Sequence, residues 1–119
     1  MARLTCHLTP TDRWSASDPD APLSAPSLTD EGFIHCTTGA DEMVATANRH
    51  YRADPRDFVV LTVDLDRVTC PWRADDERGI YPHVFGPIDR AAILDARPMP
   101  RASDGTFVPF GAVPADAAG

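Results

Sequence analysis

Cysteine is scarce in this sequence: Cys6, Cys36 and Cys70 are the only three, and no two of them form a CxxC pair. An odd count cannot close entirely into disulfides, and the usual spacing of a structural zinc site is missing. Reduced thiols in a cytoplasmic protein are therefore the expectation. Long apolar runs are also missing, and no stretch approaches the roughly 20 residues that span a bilayer. The opening Met1-Ala2-Arg3-Leu4 leads straight into a strand-like segment, without a signal peptide's long apolar middle. Positive charge is limited to 11 basic side chains against 18 acidic ones, for a formal net charge of −7. That balance argues against a duplex-DNA surface, which needs clustered cations to displace phosphate counterions. A small ligand with one or two phosphates stays compatible, because one local arginine pair can serve it. GxGxxG, Walker, GxSxG and HExxH signatures are absent, and with them the chemistries those spacings serve.

What remains is the composition of a globular protein, 43% apolar and 24% charged. The expected organisation is one small α+β domain over 1–110, with an Ala-, Gly- and Pro-rich disordered tail at 111–119. Arg3 to Leu8 alternates, placing Leu4, Cys6 and Leu8 on a buried face and Thr5 and His7 on the other. Thr9, Pro10 and Asp12 have the pattern of a helix start with Thr9 as its cap. Residues 15–26 are expected to form an irregular loop. A second strand is expected over 32–38, and Thr38 reads as the cap of a following helix. In that helix Ala40, Met43, Val44, Ala47 and Tyr51 form one apolar stripe. Phe58 to Leu65 is nearly continuous in apolar and β-branched residues, the mark of a central strand covered on both faces. Short strands are expected over 68–72 and 80–85, the latter at an edge because it carries Pro82. The 73–79 segment reads as a charged loop, and 88–99 as a helical turn followed by a strand. Without regular βαβ alternation, the sheet should be mainly antiparallel.

Histidine carries the most chemical information. His7 and His35 fall on strand faces opposite the apolar ones, and His83 shares a face with Tyr81 and Phe85. If their strands are neighbours, the three imidazoles open onto a common cleft and can serve as acid–base groups near neutral pH. The adjacent pairs Cys6-His7 and His35-Cys36 cannot chelate one ion, because consecutive strand residues point to opposite faces, and no metal is expected. Cys36, beside Ile34, reads as a buried and inert thiol. The turn Thr37-Thr38-Gly39 offers hydroxyls and free N–H groups at a helix start. Arg49 lies on that helix, roughly opposite its apolar stripe.

Three segments carry a family resemblance. They are His7 near the start, Ser27-Leu28 followed by Glu31-Gly32-Phe33-Ile34-His35-Cys36-Thr37, and Tyr81-Pro82-His83-Val84-Phe85-Gly86-Pro87-Ile88. Together they resemble the bacterial domain-of-unknown-function 952 (DUF952) family over about 4–109. Members of that family often carry a glutathione S-transferase label, but this chain is too short for a thioredoxin-like plus helical protein. The family is similar to small ADP-ribosyltransferase-like proteins, which implies a split sheet with flanking helices. A second likeness covers Phe33 to Thr37, Ala47-Asn48-Arg49-His50 and Val59 to Asp64, which resemble a stretch of the RNA 2′-phosphotransferase family. That resemblance implies that His7 contacts an NAD-type ribose, that Thr37 supplies the strand hydroxyl and that Arg49 contacts phosphate.

The combined expectation is a cytoplasmic protein whose cleft binds a nucleotide-like ligand of the NAD or ADP-ribose type. His7, His35 and His83 are its candidate catalytic residues, and Ser27, Glu31, Thr37, Arg49 and Tyr81 its candidate ligand contacts, with Tyr81 stacking on a base. Transfer or hydrolysis at the ribose would follow from the resemblance. A binding or interaction module with the same fold and no chemistry is the other class left open. The sequence implies no resident cofactor, with NAD as a possible ligand, and gives neither the substrate nor the oligomeric state.

Overall fold

The segment FVVLTVD forms strand β3 (Phe58–Asp64) of the computed structural model, which describes residues 2–110. The expected tail at 111–119 lies outside the described residues. Strand β3 is buried along nearly its whole length. It lies between β1 (Leu4–Pro10) and β6 (Ile93–Pro98), antiparallel to both. A second antiparallel sheet has the order β2-β5-β4, built from β2 (Ile34–His35), β4 (Trp72–Ala74) and β5 (Pro82–Val84). The helices are α1 (Thr11–Ala16), α2 (Pro26–Asp30) and α3 (Ala40–Tyr51), with single 3-10 turns at Leu65–Arg67 and Arg90–Ala92. Two antiparallel sheets with a few helices make a small single α+β domain, as the pattern of elements implied.

The two-residue side-chain period of β3 feeds two cores. Val59, Leu61 and Val63 pack with Ile34, Val84 and Ile88, filling the space between the sheets. Phe58 and Val60 pack instead with Met43 and Ala47 of α3 and with Met99 and Phe107. The α3 stripe thus meets the sheet through its centre, while Tyr51 at its end is partly exposed.

Strand β1 corrects the expectation of its buried face. Thr5, His7 and Thr9 are the buried residues, whereas Leu4 is 47% exposed and Cys6 and Leu8 are half-buried against the α3 core. His7 lies opposite Leu61 in the ladder, so it points to the same side as the inter-sheet core. Alternation tells which residues share a face, but both faces of β1 are covered, and the polar one is satisfied by hydrogen bonds. The Thr5 and Thr38 hydroxyls, for example, lie 2.9 Å apart.

Neither expected helix cap is used. Thr9 belongs to the β1 ladder opposite Val59, and α1 begins after Pro10. Thr38 spends its hydroxyl on Thr5, and α3 is entered through Gly39 at φ +99°. The 15–26 segment holds the end of α1 and a bridge from Leu23 to Ile88, and α2 begins at its last residue. Strand β5 is central in its sheet rather than at an edge. Pro82 is its first residue and contributes its carbonyl, which accepts from the Cys36 N–H at 3.0 Å. The strand expected over 68–72 begins only at Trp72 and takes in the first residues of the charged segment.

Candidate functional site

Strand β2 is far shorter than the expected 32–38, although the chain stays bonded to the second sheet on one side as far as Thr38, whose N–H donates to the Ile80 carbonyl at 2.7 Å. The Cys36 N–H bonds to Pro82 in the second sheet, whereas Thr37 exchanges two backbone hydrogen bonds with Cys6 of β1, at 2.9 and 2.8 Å. The two sheets are stitched there by one isolated bridge. A cleft of about 950 Å3 opens along β1, the 35–37 segment and α3, within the size range of small-molecule sites.

Every candidate residue from the sequence lines this cleft: His7, His35 and His83 together with Ser27, Glu31, Thr37, Arg49 and Tyr81. His7 is 6% exposed. Its Nδ1 lies 2.8 Å from the carbonyl oxygen of His35. A carbonyl only accepts, so Nδ1 carries the hydrogen and the neutral ring presents Nε2 as an acceptor. No described residue pairs with Nε2, and that atom is not sealed from solvent, so it opens on the cleft. Burial pushes the His7 pKa below its ordinary 6.5, and the nearby charges of His35 and Arg13 act the same way, outweighing the hydrogen bond to His35. The ring is therefore neutral at pH 7 with its tautomer set.

His35 faces the opening. Its Nε2–H donates to the Glu31 carboxylate at 2.9 Å, with both side chains about half exposed. Helix α2 brings Glu31 there: the Ser27 carbonyl accepts from the N–H groups of both Glu31 and Gly32, turning the chain into β2. His83 is the direct cross-strand partner of His35, with ring centroids 5.6 Å apart. Phe33 stacks on His83 at 4.1 Å and holds that ring in place. Tyr81 lines the cleft beyond them, and its N–H is held by Asp76 at 2.9 Å. Asp76 also accepts from the Ile80 N–H, and these backbone bonds keep its carboxyl below the usual range.

On the α3 side Thr37 donates to the Thr46 hydroxyl at 3.5 Å, and Arg49 donates to the same oxygen at 3.4 Å. Arg49 is thus a cleft residue rather than a purely solvated one. Sequence reasoning missed Arg13 and Thr46, both in the lining. Thr46 was within reach, since it lies one helical turn before Arg49. Arg13 carried no local signal and is brought in by the turn from β1 into α1.

The thiols are poor nucleophiles. Burial pushes Cys36 up to about 12 and Cys6 up to about 11, and all three cysteines are unpaired. Among the described residues no group of three or more His, Cys, Asp or Glu side chains could hold a metal. No helix among them is long and apolar enough to cross a membrane.

The model of a family described as "Protein of unknown function (DUF952)" matches residues 8–96. Two crystal structures of protein CC0527 from Caulobacter crescentus, one of a double mutant, are similar to this chain with a TM-score of 0.69 and 22% identity. The similarity covers 89% of this chain and 94% of theirs. A solution NMR structure of the same protein gives a TM-score of 0.64 at 18% identity, over 86% of this chain and 89% of that one. At that identity the likeness shows a shared fold. No curated protein matches the chain.

Proposed function

The chain belongs to the DUF952 family, and from that premise we propose that its cleft binds a nucleotide-like ligand of the NAD or ADP-ribose type. The observation that carries this reading is His7: a buried neutral imidazole with Nδ1 committed to a backbone carbonyl and Nε2 open to the cleft. Such a nitrogen accepts a hydrogen bond from a hydroxyl, the group a ribose presents. It offers nothing to a carboxylate or a phosphate. In the same cleft, Tyr81 supplies a flat ring for a base. The resemblance to ADP-ribosyltransferase-like proteins, in which a first-strand histidine contacts the ribose, supports the same ligand class. The free thiols suit a cytoplasmic setting for such a ligand.

A chemical step at the ribose is the further part of this proposal. The Glu31 carboxylate orients His35 by accepting from its Nε2–H, so Nδ1 is the ring nitrogen left to exchange a proton. His83, packed against Phe33, is the second imidazole available for proton transfer.

Thermal unfolding with NAD, ADP-ribose and adenosine tests the binding. The expected result is a rise of several degrees at ligand concentrations about a hundredfold above Kd, abolished in His7→Gln and reduced in His35→Ala. No rise with any of the three ligands in the unsubstituted protein overturns the nucleotide reading. Release of nicotinamide from NAD, lost in Glu31→Gln, supports the catalytic step. Binding without any turnover makes the protein a ligand-binding module.

A further inference from the structure

We infer that the outer face of the second sheet is a binding site for an organic cation whose nitrogen is fully alkylated, as in a quaternary ammonium head group. The inference goes beyond the nucleotide reading and makes no use of His7.

The first ground is the arrangement of rings. Alternation along β2 and β5 sends Ile34, Pro82 and Val84 to the interior, where all three are buried. His35 and His83 point the other way, and Phe33 and Phe85 gather with them. Phe33 stacks on His83 at 4.1 Å and 15°. His35 stands steeply against both rings, at 64° and 74°, and Phe85 meets Phe33 at 60°. Rings that meet at such angles form walls rather than a flat floor. His35 is exposed, and Phe33, His83 and Phe85 are half-buried, so the ring faces are not sealed in the core.

The second ground is charge. Glu31 accepts from His35 at 2.9 Å, Asp76 accepts from the Tyr81 N–H at 2.9 Å, and Asp75 pairs with Arg73 at 2.7 Å. Arg73 is the cation on these rings among the described residues, its guanidinium 5.0 Å over Phe85. Three carboxylates thus meet one guanidinium around the cluster, and a further positive charge is attracted there. The seat of Arg73 also shows that the rings accept a cation on their faces.

The third ground selects the kind of cation. Glu31, Asp75 and Asp76 already accept hydrogen bonds or pair within the chain, and phenyl rings accept none of comparable strength. The site supplies negative charge and ring faces instead of free acceptors, which suits a cation with no N–H to donate. The same charge disfavours a phosphate on this face.

Amide NMR titration of the full chain tests this, with choline and N-methylpyridinium as probes and the neutral carbon isostere of choline as the control, at matched ionic strength. The expected result is saturable shifts at 33–35 and 83–85 with both cations, and affinity for the neutral isostere about tenfold lower. Phe33→Leu and Phe85→Leu should each weaken choline binding about threefold or more, as for the loss of one ring contact. Arg73→Gln should tighten it, because the competing guanidinium leaves while Asp75 stays. A gain of binding cannot come from a misfolded variant. His7→Gln should leave choline affinity unchanged, which keeps this site separable from the nucleotide reading. Equal affinity for choline and its neutral isostere, or weaker binding in Arg73→Gln, overturns the cation site. So does the lack of saturable shifts with either cation in both the original protein and Arg73→Gln.

Discussion

His7 sits in the middle of a strand, with one ring nitrogen tied to a carbonyl and the other open. Its depressed pKa couples charge to stability. An unfolded chain takes up a proton at His7 as the pH falls through 6.5, whereas the folded one resists, so acid favours unfolding. Stability should hold above the ordinary histidine range and fall below it, by up to about 1.4 kcal/mol per pH unit from this group. Denaturant unfolding at pH 7.5 and 5.5 measures the effect, and His7→Asn should flatten the profile. An equally steep profile in that variant would assign the acid sensitivity to other groups. The cysteines give a second prediction at this scale. With burial holding Cys36 near 12 and Cys6 near 11, iodoacetamide at pH 8 should leave Cys36 unmodified in the folded protein. It should label that residue only after denaturant is added, which mass mapping reads directly.

Element boundaries show how local chemistry is redirected by distant partners. Thr9 and Thr38 have the right side chain in the right place to cap a helix, yet one is buried in a strand ladder and the other bonds Thr5. A hydroxyl that caps one helix can equally satisfy a buried strand residue, and nothing within four residues tells the two apart. Helix α3 then depends on Gly39, whose φ of +99° with ψ of 135° belongs to a region almost reserved for glycine. An added Cβ would meet nothing closer than the Glu42 side chain at 3.9 Å, so Gly39→Ala should cost backbone strain alone, about 1–3 kcal/mol. Chemical denaturation checks the value. A neutral result would mean that the turn relaxes without moving α3. The 3.6-residue stripe of α3 and the continuous apolar run of β3 were both legible, because each repeat is a property of one element.

For the molecule as a whole, β3 is the shared wall of two cores. Leu61 is fully buried between the sheets, opposite His7. Leu61→Ala should therefore cost about 2–5 kcal/mol and loosen the strand that backs the cleft. Leu94→Ala, at a position 45% exposed, should change stability by no more than about 0.5 kcal/mol. Urea unfolding of the two variants tests the contrast, and a comparable loss in Leu94→Ala would reveal a face covered in solution. The cleft lining was legible in part. The EGFIHCT and YPHVFGPI segments hold Glu31, His35, Cys36, Thr37, Tyr81 and His83 of the lining, whereas the face of β1 that carries His7 proved to be the buried one. Arg13 lay beyond reach, because an arginine on a short helix looks the same whether it faces solvent or a cleft.

The residue order alone determined strands β1 and β3 and the main helix, the antiparallel α+β class, the family and the histidines worth watching. All of these follow from periods of two or 3.6 residues, or from motifs a few residues long. Tertiary structure decided which face of β1 is buried, which nitrogen of His7 stays open and which arginines keep no carboxylate partner. Those outcomes hang on pairings such as Cys6 with Thr37 and His35 with His83. The partners lie tens of residues apart, so the choice among competing partners is made only when the whole chain packs.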